Sequence, residues 1–135
     1  MPDLSERLSA ILTEILPVTE EDDGALTVQH DDTFASLRVV PVAPDLDLVS
    51  LTQVLAWDLP LNSTTRAAVA AFTRDTLLGT VSLVEKVGAA KSKSKIADVL
   101  LRYNFPAAGL TDDALRTLLL MVLATGSDVR RALIG

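Results

Sequence analysis

Cysteine is absent from the 135 residues of the chain. That absence removes disulfides, thiolate nucleophiles and Cys-zinc sites together, and it suits a reducing compartment. Histidine occurs once, at His30. A Ser-His-Asp arrangement therefore has one imidazole to draw on, and no Gly-x-Ser-x-Gly elbow accompanies it. Gly-x-Gly-x-x-Gly and Gly-Lys-Ser/Thr loops are missing too, so neither a dinucleotide fingerprint nor a P-loop is present. Aromatic residues make up 4% of the chain, which leaves Leu, Val, Ala and Ile to build the core. No apolar run reaches the roughly 20 residues of a membrane span. The start, MPDLSERLSAILTEIL, carries acids where a signal peptide carries a basic region. A cytoplasmic protein without membrane contact is expected.

Positive charge is in short supply as well. Twelve Lys and Arg face 18 Asp and Glu, for a net charge of -6. Such a chain repels phosphate backbones unless it carries a local basic patch. Lys91, Lys93 and Lys95, with Arg102, are the one candidate patch. No aromatic is interleaved with the lysines for base stacking, so nucleic acid is not expected as a partner.

Apolar residues are 49% of the chain and charged residues 22%, a globular composition. At this length one domain spanning residues 1–135 is expected. The stretch Gly109 to Leu123, GLTDDALRTLLLMVL, organises the rest. Thr111 caps it, and Asp112 and Asp113 place negative charge at the positive end of the helix dipole. Its six-residue apolar run, Leu118 to Leu123, must be covered by the chain or by a second copy. The pattern predicts that this helix falters at Gly126 and resumes from Ser127 to Ile134.

Leu4, Leu8, Ile11, Leu12, Ile15 and Leu16 form one stripe of a first helix, with Asp3 and Glu6 at its start and Pro17 beyond its end. Glu20 to Gly24 reads as a solvated acidic loop, since consecutive carboxylates cannot converge on one ion without a shaped loop. Strands are expected at Ala25 to Gln29, Phe34 to Val42, Leu48 to Trp57, Val81 to Val87 and Ile96 to Phe105. A second helix is capped by Asn62 or Ser63 and ends before Gly79. Residues 88–95 form the last hairpin loop. Hairpins join the first strand to the second and the fourth to the fifth. The fold class is therefore α+β, with helices packed on a five-stranded antiparallel sheet in the order α-β-β-β-α-β-β-α.

Little in this pattern is convergent and polar, whereas apolar faces are plentiful, so binding outranks catalysis. No catalytic residue, cofactor or metal ligand is assigned. His30 reads as a solvent-facing turn residue beside Asp31 and Asp32. Trp57, the one tryptophan, is read either as a core-edge residue or as a binding anchor.

The element order resembles the bacterial type III secretion chaperone fold, and especially the YbjN-like domains that share it. The residues carrying the resemblance are the strands from Leu26 to Trp57, the segment Leu78-Gly79-Thr80-Val81-Ser82-Leu83-Val84, and Phe105-Pro106 through Gly109-Leu110-Thr111 into the last helix. The resemblance implies a non-enzymatic, chaperone-like or regulatory module that acts as a homodimer and holds a protein client. It also places the dimer seam on the second helix, at Ala68, Val69 and Phe72. The alternative is a small-molecule sensor with an apolar pocket between the sheet and the last helix.

Overall fold

A computed structural model describes residues 3–87 and 95–134. The elements run α1 (Leu4–Ile15), β1 (Val18–Glu20), β2 (Leu26–His30), β3 (Thr33–Ala43), β4 (Leu46–Pro60), α2 (Ser63–Asp75), β5 (Thr80–Val87), β6 (Lys95–Pro106) and α3 (Asp112–Ile134). The class is α+β, and the sheet is antiparallel in every described pairing. Among the described residues it has six strands where five were expected, in the order β1-β2-β3-β4-β6-β5. The added strand is β1, which begins one residue after Pro17 and pairs Val18 with Val28. Three residues are too few for a visible period-2 alternation, so pairing with β2 alone defines β1.

Local signals set the helix starts. Asp3 accepts a hydrogen bond from the Glu6 N–H at 2.8 Å, Asn62 from the Thr65 N–H at 2.9 Å and Thr111 from the Ala114 N–H at 3.1 Å. Each side chain satisfies a donor that the first helical turn leaves open. α2 ends at Asp75, and Gly79 follows with φ +83° before β5. A Cβ at Gly79 would fall 2.8 Å from Leu101 Cδ2, so a side chain there would meet both backbone strain and the core.

One face of the sheet is covered. Val28, Leu37, Val49, Leu51, Gln53, Leu55, Val99 and Leu101 point to it and are fully buried. Leu8, Ile11 and Leu12 of α1 and Leu115, Leu119, Val122 and Leu123 of α3 join them in one core. Each such Leu contributes roughly 1.5–3 kcal/mol relative to exposure. The chain thus covers the buried side of α3 itself, while Met121 remains exposed on its outer side. α3 does not falter at Gly126: it is one helix of 23 residues. Gly126 is buried against β4, and packing offsets the roughly 1 kcal/mol a mid-helix glycine costs.

Arg7 clips α1 to the entry of α3. Its guanidinium donates to Asp112 Oδ1 at 2.9 Å and to the Ala108 carbonyl at 3.3 Å. The lysine-rich loop reading falls on residues 88–94, with Lys91 and Lys93, and lies outside the described residues. Lys95 opens β6 and is exposed.

Candidate functional site

Period-2 alternation sends Phe34, Ser36 and Arg38 of β3 to the sheet face opposite the helices. In β4 the same alternation would carry Trp57 to the helix side with Val49, Leu51, Gln53 and Leu55. Two register shifts prevent this, one between Val54 and Ala56 and one between Ala56 and Leu59. Asp58, at φ +55°, lies in the second. An extra residue in one strand inverts the alternation beyond it. Ala56 is consequently buried opposite Val99, and Trp57 is 63% exposed. Of the two readings of Trp57, the core-edge one is set aside.

The open face carries a row of directly opposed residues: Phe34 faces Val54, Val54 faces Leu100 and Leu100 faces Ser82. Phe34 is 56% exposed and Val84 43% exposed. The next row along the strands is Thr27, Ser36, Thr52, Arg102 and Thr80, all short and polar except the arginine.

A charged cluster lies beside Trp57. The Lys86 ammonium lies 5.9 Å from the Trp57 ring centroid. It pairs with Asp58 and, at 2.8 Å, with Asp98. Hydrogen bonds from Lys86 to Asp58 and then to Asp98 raise the lysine above its ordinary range. Burial pushes the Asp98 carboxyl up, but hydrogen bonds from Lys86 and from the Asp58 N–H together hold it below the usual carboxylate value. The Asp58 N–H donates to Asp98 at 3.0 Å, which fixes the bulge backbone beside the tryptophan.

A groove of about 450 Å³ lies elsewhere, along α2 and β5 at the sheet edge. Arg66, Val69, Ala70, Thr73, Arg74 and Leu83 line it. Arg66 is tied to Glu85 at 2.8 Å, and the Thr73 hydroxyl donates to the Val81 carbonyl. Thr73 thereby occupies one backbone acceptor of β5, an edge strand.

The seam residues expected on α2 fare differently from one another. Val69 is buried at 3% exposure, Phe72 is partly buried against the core, and Ala68 is partly buried. Val69 therefore holds α2 to its own sheet, and a charge there would attack the fold before any seam. Ala70 is the exposed apolar residue that α2 gives the groove, beside the exposed Arg66, Thr73 and Arg74. Trp57 belongs to the other face of the sheet, so the four expected surface residues do not form one site.

His30 is not the solvent-facing turn residue the sequence suggested. It ends β2 with its side chain 17% exposed, and Nδ1 lies 2.7 Å from Ser127 Oγ. Asp31 is 3.8 Å from that same nitrogen. In a nucleophile-activating triad the acid and the hydroxyl engage opposite ring nitrogens; here both lie against Nδ1. The contact fastens the β2–β3 turn to α3. Turn contacts also occupy carboxylates of the acidic loop. Asp23 accepts from the Ala25 N–H at 3.0 Å and pairs with Arg38 at 3.2 Å, and the first of these contacts chiefly lowers its pKa.

The space between the sheet and α3, where the alternative reading places a sensor pocket, is packed by Leu115, Leu119, Val122, Leu123 and Gln53, all at 0% exposure. Among the described residues, no helix is long and apolar enough to cross a membrane. Comparison of the chain with family models, curated proteins and solved structures finds no match.

Proposed function

We propose that the chain is a protein-binding module, chaperone-like or regulatory, that catalyses no reaction itself and works as a homodimer. The observation that carries this reading is the set of large apolar side chains left at the surface of a folded domain. Trp57, Phe34 and Val84 sit on one sheet face, with Val54 and Leu100 partly exposed between them. Scattered apolar residues are normal on a surface, but a contiguous patch rimmed by polar residues marks an interaction site. Tryptophan is also enriched among the residues that dominate interface energies.

The homodimer part rests on α2 and β5. β5 ends the sheet, and the groove beside it has apolar side chains between two arginines. A second copy meeting this edge about a two-fold axis would lay like against like, as isologous interfaces do. Sedimentation of the purified chain at micromolar concentration tests it. A dimer that Ala70→Glu converts to a folded monomer is the expected result; a wild-type monomer overturns the dimer. Protein binding is tested separately by mild crosslinking in the producing cell and mass spectrometry. One dominant partner, lost with Trp57→Ser, is expected. Recovery of the chain alone would overturn the client-binding part.

A further inference from the structure

We infer that the open face of the sheet binds a polypeptide segment of another protein in which a carboxylate stands beside large apolar side chains, with Arg102 receiving the carboxylate. The inference rests on the protein-binding reading above and names the surface and the chemistry of the partner.

Charge on this face carries the assignment. Among the described residues, three cations lie on it: Arg38, Lys86 and Arg102. Arg38 is paired with Asp23, and Lys86 with Asp58 and Asp98. Arg102 has no ion pair among the described residues, although Asp and Glu outnumber Lys and Arg by 18 to 12 in the whole chain. It stands on β6 two residues from Leu100, between Thr52 of β4 and Thr80 of β5. Neighbours two apart on a strand are roughly 7 Å apart. A ligand side chain lying over Leu100 and Val54 therefore has Arg102 within reach of the residue next to it. The short side chains of Ser36, Thr52 and Thr80 leave the guanidinium accessible from above.

The same charge argues against a second copy of the chain on this face. In a two-fold interface the patch meets itself, and a central Arg102 would meet its own image with no acid between them. An acidic, apolar segment instead supplies the carboxylate that Arg102 lacks among the described residues. Phe34, at the β3 end of that row, and Trp57, further along β4, then act as apolar anchors.

Trp57 is the sole tryptophan, so its emission reports on this face alone. The test selects binders from a random peptide library displayed on phage, using the full chain as bait. Enriched peptides are then synthesised and titrated while Trp57 fluorescence is read. Peptides carrying Asp or Glu next to aromatic or aliphatic residues are expected, and their binding should blue-shift Trp57. Arg102→Glu should weaken them at least tenfold and Arg102→Lys far less, with thermal melting confirming that both variants fold. Peptides that bind without a carboxylate, an unmoved Trp57 emission, or an affinity indifferent to Arg102→Glu each overturn the assignment of this face while leaving protein binding standing. A library that yields no binder overturns both. Vesicles of phosphatidylserine and phosphatidylcholine form the control. A blue shift with vesicles and none with peptides would assign the face to anionic lipid and overturn the polypeptide.

Discussion

Gln53 of β4 and Gly126 of α3 meet so closely that a Cβ on the glycine would fall 2.0 Å from Gln53 Oε1. The Gln53 amide cannot easily yield. Its Nε2 donates to Thr33 Oγ1 at 2.8 Å and to the Leu123 carbonyl at 3.2 Å, and the residue is fully buried. Gly126→Ala gains about 1 kcal/mol of helix propensity. It must also displace an amide held by two hydrogen bonds in a packed interior, which costs more. A net loss of about 1–3 kcal/mol is expected on denaturant unfolding. Gln53→Ala in the same chain should recover part of it. Additive losses in the double variant would show that the two residues do not couple.

Val69 and Ala70 are neighbours on α2 with opposite exposures. Val69→Asp buries an unpaired carboxylate and should unfold the chain or lower its stability by at least about 3 kcal/mol. Ala70→Glu should leave the melting temperature within a few degrees and change only the oligomeric state. Circular dichroism and sedimentation on both variants separate core from seam. A folded Val69→Asp monomer of wild-type stability would restore Val69 to the seam.

Asp98 gives the acid limb of stability a specific cause. Its folded-state pKa lies below the ordinary 3.8, so it binds fewer protons when folded than when unfolded around that pH. The resulting stabilisation is present above about pH 3.8 and is lost as pH falls through the folded value. Asp98→Asn should therefore be less stable than wild type at pH 7, and the gap should hold down to about pH 3.8 and shrink below it. Lys86 has the opposite sign: its stabilisation is present below 10.5 and is lost as pH rises from there through the raised folded value. Urea unfolding across pH for wild type and Asp98→Asn checks this. A gap independent of pH would show that lost packing, not charge, explains the variant.

Arg7→Met should loosen the clip between α1 and the start of α3. The side chain is 17% exposed and gives hydrogen bonds to Asp112 and to the Ala108 carbonyl. A loss of about 1–2 kcal/mol is expected, because charge-assisted hydrogen bonds exceed ordinary ones. Hydrogen exchange should show the first turn of α3 opening sooner than its centre. Uniform exchange along α3 would count against a local clip.

Most elements were legible because their signals are local. The Asp3, Asn62 and Thr111 caps, the stripe from Leu4 to Leu16, and the inward set Ala97, Val99, Leu101, Tyr103 and Phe105 all stand where periodicity and capping place them, with Ile15, Leu16 and Tyr103 only partly buried. Pro17 ends α1 one residue beyond its cap at Leu16. The departures share another cause. β1 exists because β2 offers it an edge, α3 runs through Gly126 because Gln53 fills the space beside it, and Trp57 turns outward because bulges in β4 invert its alternation.

Class and core composition were thus written along the chain, since helix and strand periods and caps depend on residues a few positions apart. The candidate site was not. Whether Trp57, Phe34 and Arg102 share a face depends on strand register, and register is a relation among β3, β4, β5 and β6 brought together from distant parts of the chain. The same holds for the seam. Periodicity marks Val69 as apolar, but only the packing of α2 on β5 decides that it faces its own sheet and leaves Ala70 at the surface.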